Sequence, residues 1–190
     1  EVRIGNNGFT AALKVIGTAD STAEVSYWAN TGYTFRVLSN GELYAQNYQL
    51  SYMDIDGIQI DGGLIAPIGP DTVANLSNGT FNNGVTNGRF LLINNDQDLT
   101  ITDVAFSSAI TNGFNVSKPN AAGSITFENA TGIFSGDTYE DDPNGLIAWN
   151  TTTTSVVWNG SVNSDWHTPG NWNGNEVPDI TKNVTIPNVS

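Results

Sequence analysis

Short apolar runs alternate with clusters of Asn, Asp and Gly along nearly the whole chain. The pattern predicts strands at residues 10–16, 33–38, 41–52, 57–60, 89–93, 98–106, 124–127 and 147–149. Asn-Gly and Asp-Gly pairs beginning at Asn40, Asp56, Asp61, Asn78, Asn83, Asn87, Asn112, Asn144, Asn159 and Asn173 mark the turns between them. No window of about eleven residues repeats with the roughly 3.6-residue period of an amphipathic helix. The chain is therefore read as all-β.

Two architectures fit such a string of strands. A β-sandwich places hairpin signals at spacings of about 8–12 residues. A parallel β-helix uses short strands with Asn-, Gly- and Asp-rich corners, repeating every 20–30 residues or so. Residues 43–60 and 89–106 favour the second, because each gives an apolar beat, a polar corner and a second beat. Asn94, Asn95 and Asp96 suit a corner, where left-handed backbone and stacked amides are accommodated. The reading predicts parallel pairing from Phe35 to Trp149, with Leu91, Ile93, Leu99, Ile101, Val104 and Phe106 in the core. Residues 1–149 are assigned to this solenoid, although 1–40 carry no recognisable motif. The Thr-rich stretch 150–155 has no apolar anchor and is read as an exposed linker. Residues 156–190 are read as the incomplete start of a second small β module, in which Trp158, Trp166 and Trp172 fall within fifteen residues.

Charge narrows the function classes. Nineteen Asp and Glu against six Lys and Arg give a net charge of −13, which repels nucleic acid and anionic membrane surfaces. Only 13% of the residues are charged, so Asn, Thr, Ser and Gly must cover the surface, as on many secreted β proteins. Cysteine is absent, which excludes disulfides, thiolate zinc sites and thiol catalysis. No apolar run is long enough to span a membrane. Glu1 opens no basic and apolar leader, so any signal peptide is expected upstream or already removed.

One stretch carries a resemblance. It runs Gly123-Ser124-Ile125-Thr126-Phe127-Glu128-Asn129-Ala130-Thr131-Gly132-Ile133-Phe134-Ser135-Gly136-Asp137, then Tyr139-Glu140-Asp141-Asp142-Pro143 and Ile147-Ala148-Trp149. With it, residues 43–149 resemble the last coils of right-handed β-helix regions in very large surface proteins of the Bacteroidota. The segment from Trp158 to Pro187 looks like the start of the following module in adhesin-like proteins exported by type IX secretion. The resemblance implies a right-handed parallel β-helix, export to the cell surface, attachment through a C-terminal signal outside this segment, and adhesion or fibre building. Surface glycans or other surface proteins would be the partners, with the secretion machinery engaged during export.

Candidate chemistry is sparse. Asp137, Glu140, Asp141, Asp142 and Asn144 form the densest cluster of oxygen ligands, of the hard kind that Ca²⁺ binds in sets of about six to eight. It matches no EF-hand loop. A solvated acidic turn is the favoured reading, and weak Ca²⁺ binding that relieves the repulsion is the alternative, since nothing basic lies nearby in sequence. Trp158, Trp166 and Trp172 suit either a sugar-stacking platform or, as favoured here, the core of a small module. Trp28, Tyr27 and Tyr33 pose the same choice between surface patch and packing. Parallel β-helices also host polysaccharide-cleaving enzymes, which need convergent carboxylates or a base. Asp54 and Asp56, two apart on a strand, would face one side, but the sequence places no cation beside them. The expectation is a secreted, surface-displayed structural or adhesive segment without catalysis. A carbohydrate-binding or polysaccharide-cleaving β-helix is the alternative.

Overall fold

The computed structural model is all-β, with parallel sheets that form a β-solenoid of about six turns. The structure describes residues 1–6, 8–27, 32–67, 76–108, 110–132, 134–150, 154–178 and 182–187. The chain forms two units, Glu1–Asn150 and Thr151–Ser190. In the first, strands run β1 Val2–Ile4, β2 Ala11–Ile16, β3 Ala23–Val25, β4 Tyr33–Leu38, β5 Gly41–Ser51, β6 Met53–Asp61 and β7 Leu64–Ile65. They continue β8 Leu76–Asn82, β9 Arg89–Ile93, β10 Leu99–Thr102, β11 Ala105–Phe106, β12 Phe114–Ser117, β13 Ile125–Glu128, β14 Glu140–Asp141 and β15 Ile147–Asn150. All named strand pairs are parallel, as the alternation of beats and corners predicts.

Three sheets line the solenoid. One stacks β1, β4, β6, β9, β12 and β14; a second stacks β2, β5, β8 and β11; a third stacks β10, β13 and β15. Because parallel strands hold register from coil to coil, apolar residues line up in columns. Ile4, Val37, Ile60 and Ile93 form one, and Phe35, Ile58, Leu91 and Val116 form another. Leu99 and Ile101 sit under Ile125 and Phe127, which sit under Ile147 and Trp149. Leu91, Ile93, Leu99, Ile101, Val104 and Phe106 are all buried in the core, as expected.

An aromatic column strengthens the core. Phe81 stacks on Phe106 at 5.5 Å between ring centroids, and Phe127 stacks on Trp149 at 4.2 Å. Each such phenylalanine, fully withdrawn from water, contributes about 1.5–3 kcal/mol. Gly79 meets the Tyr48 ring so closely that an added Cβ would lie 2.0 Å from it. That ring is buried, and its hydroxyl donates to the Leu76 carbonyl at 2.8 Å.

Left-handed corners explain the Asn content. Among the described residues ten non-glycine residues have positive φ, and eight are Asn: Asn40, Asn47, Asn78, Asn83, Asn87, Asn112, Asn129 and Asn175. Asn tolerates that region because its short amide bonds locally. The exceptions are Asp103 and Tyr52. Asp103 divides the predicted run 98–106 into β10 and β11, and Tyr52 separates β5 from β6.

Other details depart from the sequence expectations. Within 1–40, where no motif is legible, β1 pairs with β4, and β2 and β3 pair with β5. The stretch 150–155 is not a free connection at its ends: Asn150 closes β15, and Thr154 opens β16 Thr154–Val157. Residues 151–153, like Trp28, lie outside the described residues. In the second unit β16 pairs in parallel with β17 Lys182–Thr185.

Candidate functional site

A buried cation that sequence proximity did not reveal lies near the acidic loop. Lys118 follows directly on β12 and is fully buried. Its ammonium donates to the Asn95 carbonyl at 3.0 Å, to Asn120 Oδ1 at 2.7 Å and to the Ala122 carbonyl at 2.7 Å, which uses all three N–H groups. Its backbone N–H donates to the Asp141 carbonyl at 2.9 Å. Burial pulls the Lys118 pKa below its usual value, while the negative charges of Asp96, Asp142 and Asp98 oppose that shift. The expectation that nothing basic lies near this loop is therefore corrected: Lys118, from an earlier coil, attracts Asp142, although its ammonium bonds none of the loop's carboxylates.

The five candidate ligands have separate duties. Asp137 opens an exposed single-turn 3-10 helix, Asp137–Tyr139. Glu140 accepts the indole N–H of Trp149, and burial pushes its carboxyl above the ordinary range. Asp141 belongs to β14 opposite Ser117. Asp142 accepts the Asn144 N–H at 3.3 Å and the Ile147 N–H at 2.7 Å. Asn144 donates its side-chain amide to the carbonyls of Pro119 and Asn120. Among the described residues no group of three or more acidic, His or Cys side chains converges as a metal site.

The three tryptophans of the second unit do come together. Trp158 and Trp166 lie nearly parallel at 6.2 Å, and Trp172 sets its ring edge-on to both, at 4.9 and 4.4 Å. Trp172 is 1% exposed and donates its indole N–H to the Trp166 carbonyl at 2.9 Å, so it is core. Trp166 is 39% exposed, and Trp158 is half-buried. The buried Asn171 holds the loop that carries them. Its amide oxygen accepts the N–H groups of Val162 and Asn163, and its amide nitrogen donates to Asn163 Oδ1 and the Asp165 carbonyl. A groove of about 710 Å³ opens beside Trp158, with Asn159, Asn163 and Ser164 on its walls.

A third place was underestimated from sequence. Tyr33 faces Met53 while Phe35 faces Ile58, five residues on β6 against two on β4. The extra length projects Asp54 and Asp56 into a groove of about 220 Å³ shared with Glu1, Arg36 and Gln59. A cation thus stands beside the aspartate pair, contrary to expectation, because β4 stacks against β6. Arg36 donates to Asp61 at 2.5 Å, a bond that raises its pKa further.

Tyr52 also went unmarked. It sits at a corner with φ of 59°, which costs about 1–2 kcal/mol for a residue with a Cβ. No turn pair marks it in the sequence, whereas every other non-glycine corner of this hand among the described residues is Asn or Asp. Comparison of the chain with protein-family models, with curated proteins and with solved structures finds no match.

Proposed function

We propose that this chain is a non-catalytic structural and adhesive segment of a larger, exported, surface-displayed protein of the adhesin-like kind found in Bacteroidota. The observation that carries the reading is the continuous column core of the solenoid, from Ile4 to Trp149, with every coil paired to the next. Such a stack resists unfolding and proteolysis locally and can be lengthened coil by coil, which suits a stalk. The charge of −13 and the lightly charged Asn- and Thr-rich surface suit the cell exterior, where surface glycans or other surface proteins are the partners. Type IX export and engagement of that machinery belong to the same proposal.

Attachment is the test. Beads coated with the 190-residue chain should adhere to glycan-coated or cell surfaces more than beads coated with an equally acidic control protein. Equal adhesion would overturn the reading. The groove holding Asp54, Asp56 and Arg36 favours a second reading, a polysaccharide-cleaving solenoid. Release of new reducing ends from a polysaccharide panel, abolished by Asp56→Asn, would establish that alternative instead.

A further inference from the structure

The corner at Tyr52 builds a small aromatic pocket that the column core does not need. Tyr27 and Tyr52 meet edge to face at 4.3 Å between ring centroids. Around them an open cavity of about 400 Å³ is lined by Gly32, Asn83, Gly84 and Val85. Tyr52 and Val85 are exposed, at 42% and 36%. Among the described residues the six that line the pocket are uncharged, in a chain of net charge −13.

Those features select a ligand chemistry. An exposed aromatic face takes the C–H face of a pyranose ring, which is apolar on one side and carries hydroxyls at its rim. The Asn83 amide and the bare backbone at Gly32 and Gly84 supply donors and acceptors for such hydroxyls. The surrounding negative charge disfavours uronic acids and sulfated sugars. Tyr52 holds its ring there despite a left-handed backbone, where Asn or Asp serves the other non-glycine corners described, so the ring has a use beyond making the turn.

We propose that the Tyr27–Tyr52 pocket binds a neutral pyranose unit of an extracellular polysaccharide, stacked on Tyr52. The proposal rests on the adhesive reading and deepens it by naming the ligand class and the place.

Affinity electrophoresis of the whole chain in gels containing a neutral β-glucan, mannan, xylan or galactan tests it, with polygalacturonate as the anionic arm. Retardation by at least one neutral polymer and none by polygalacturonate is expected. Tyr52→Phe keeps the ring and should hold affinity within threefold. Tyr52→Asn suits the corner and should lose at least tenfold while its melting temperature stays near wild type. Val85→Asp, at an exposed position, should also lose at least tenfold, which covers the case in which Tyr52→Asn folds poorly. No retardation of the wild type by any neutral polymer, or unchanged affinity in Val85→Asp or a folded Tyr52→Asn, overturns the proposal. Beads that still adhere under those outcomes leave the adhesive reading standing and place its contact elsewhere.

Discussion

Replacing Lys118 by Met removes the ammonium but keeps a flexible chain of similar length. Three charge-assisted hydrogen bonds disappear, to the Asn95 carbonyl, Asn120 Oδ1 and the Ala122 carbonyl. Each such bond has a net worth of about 1.5–3 kcal/mol. Two effects reduce the loss. Asn120 Nδ2 still donates to the carbonyls of Asn95 and Ala122, at 2.9 and 3.1 Å, so neither is orphaned. Relief of the ammonium's desolvation returns several kcal/mol. A third effect adds to it, because Asp96, Asp98 and Asp142 lose the cation that attracts them. The net expectation is a destabilisation of about 2–3 kcal/mol. For a chain of this size that lowers the melting temperature by roughly 5–10 °C. Circular dichroism melts measure it, with Lys14→Met as control. Lys14 is exposed and sits 5.1 Å from the Tyr44 ring centre, an interaction worth about 0.5–1 kcal/mol. A Lys118→Met protein that melts with or above wild type would refute the reasoning, since the buried ammonium would then be no net anchor of the corner.

The same logic gives a metal test. Wild-type melts should coincide in millimolar Ca²⁺ and in chelator, whereas Lys118→Met should gain stability from Ca²⁺; a shift in wild type would establish the loop as a cation site. Gly79→Ala drives a methyl into the Tyr48 ring and should destabilise by about 1–3 kcal/mol, read by urea unfolding. Asn171→Ala removes four hydrogen bonds inside the tryptophan loop and should raise Trp166 exposure, seen as a red shift of fluorescence emission. The Asp98 carboxyl is held below its ordinary value of 3.8, first by the Ser124 hydroxyl and then by the Ser124 N–H. Its folded pKa is depressed, so its stabilisation is present above that ordinary value and is lost as pH falls through the depressed one. Asp98→Asn should therefore melt less steeply with falling pH than wild type below about pH 4.

Local pattern determined much of this protein. Apolar beats placed β2, β4, β5, β9, β13 and β15 within a residue or two, because a buried strand must present apolar side chains wherever it is, but they marked nothing at β1, β3, β7, β8, β12 or β14. Asn and Gly placed the corners, because few other residues accept left-handed backbone at low cost. The burial of Trp172 was legible too, since a small module needs large apolar side chains for its core. The pairing of coils was not legible. Phe35, Ile58, Leu91 and Val116 share one column at steps of 23, 33 and 25 residues, so no constant period announces which residue lies above which. Everything that depends on stacking was hidden with it. Lys118 reaches the Asn95 corner, Arg36 stands beside Asp54 and Asp56, and Tyr27 meets Tyr52 only after the coils close. Composition sets which residues can make a corner or a core. The register of parallel strands, set by the packing of whole coils, decides which charges and rings meet.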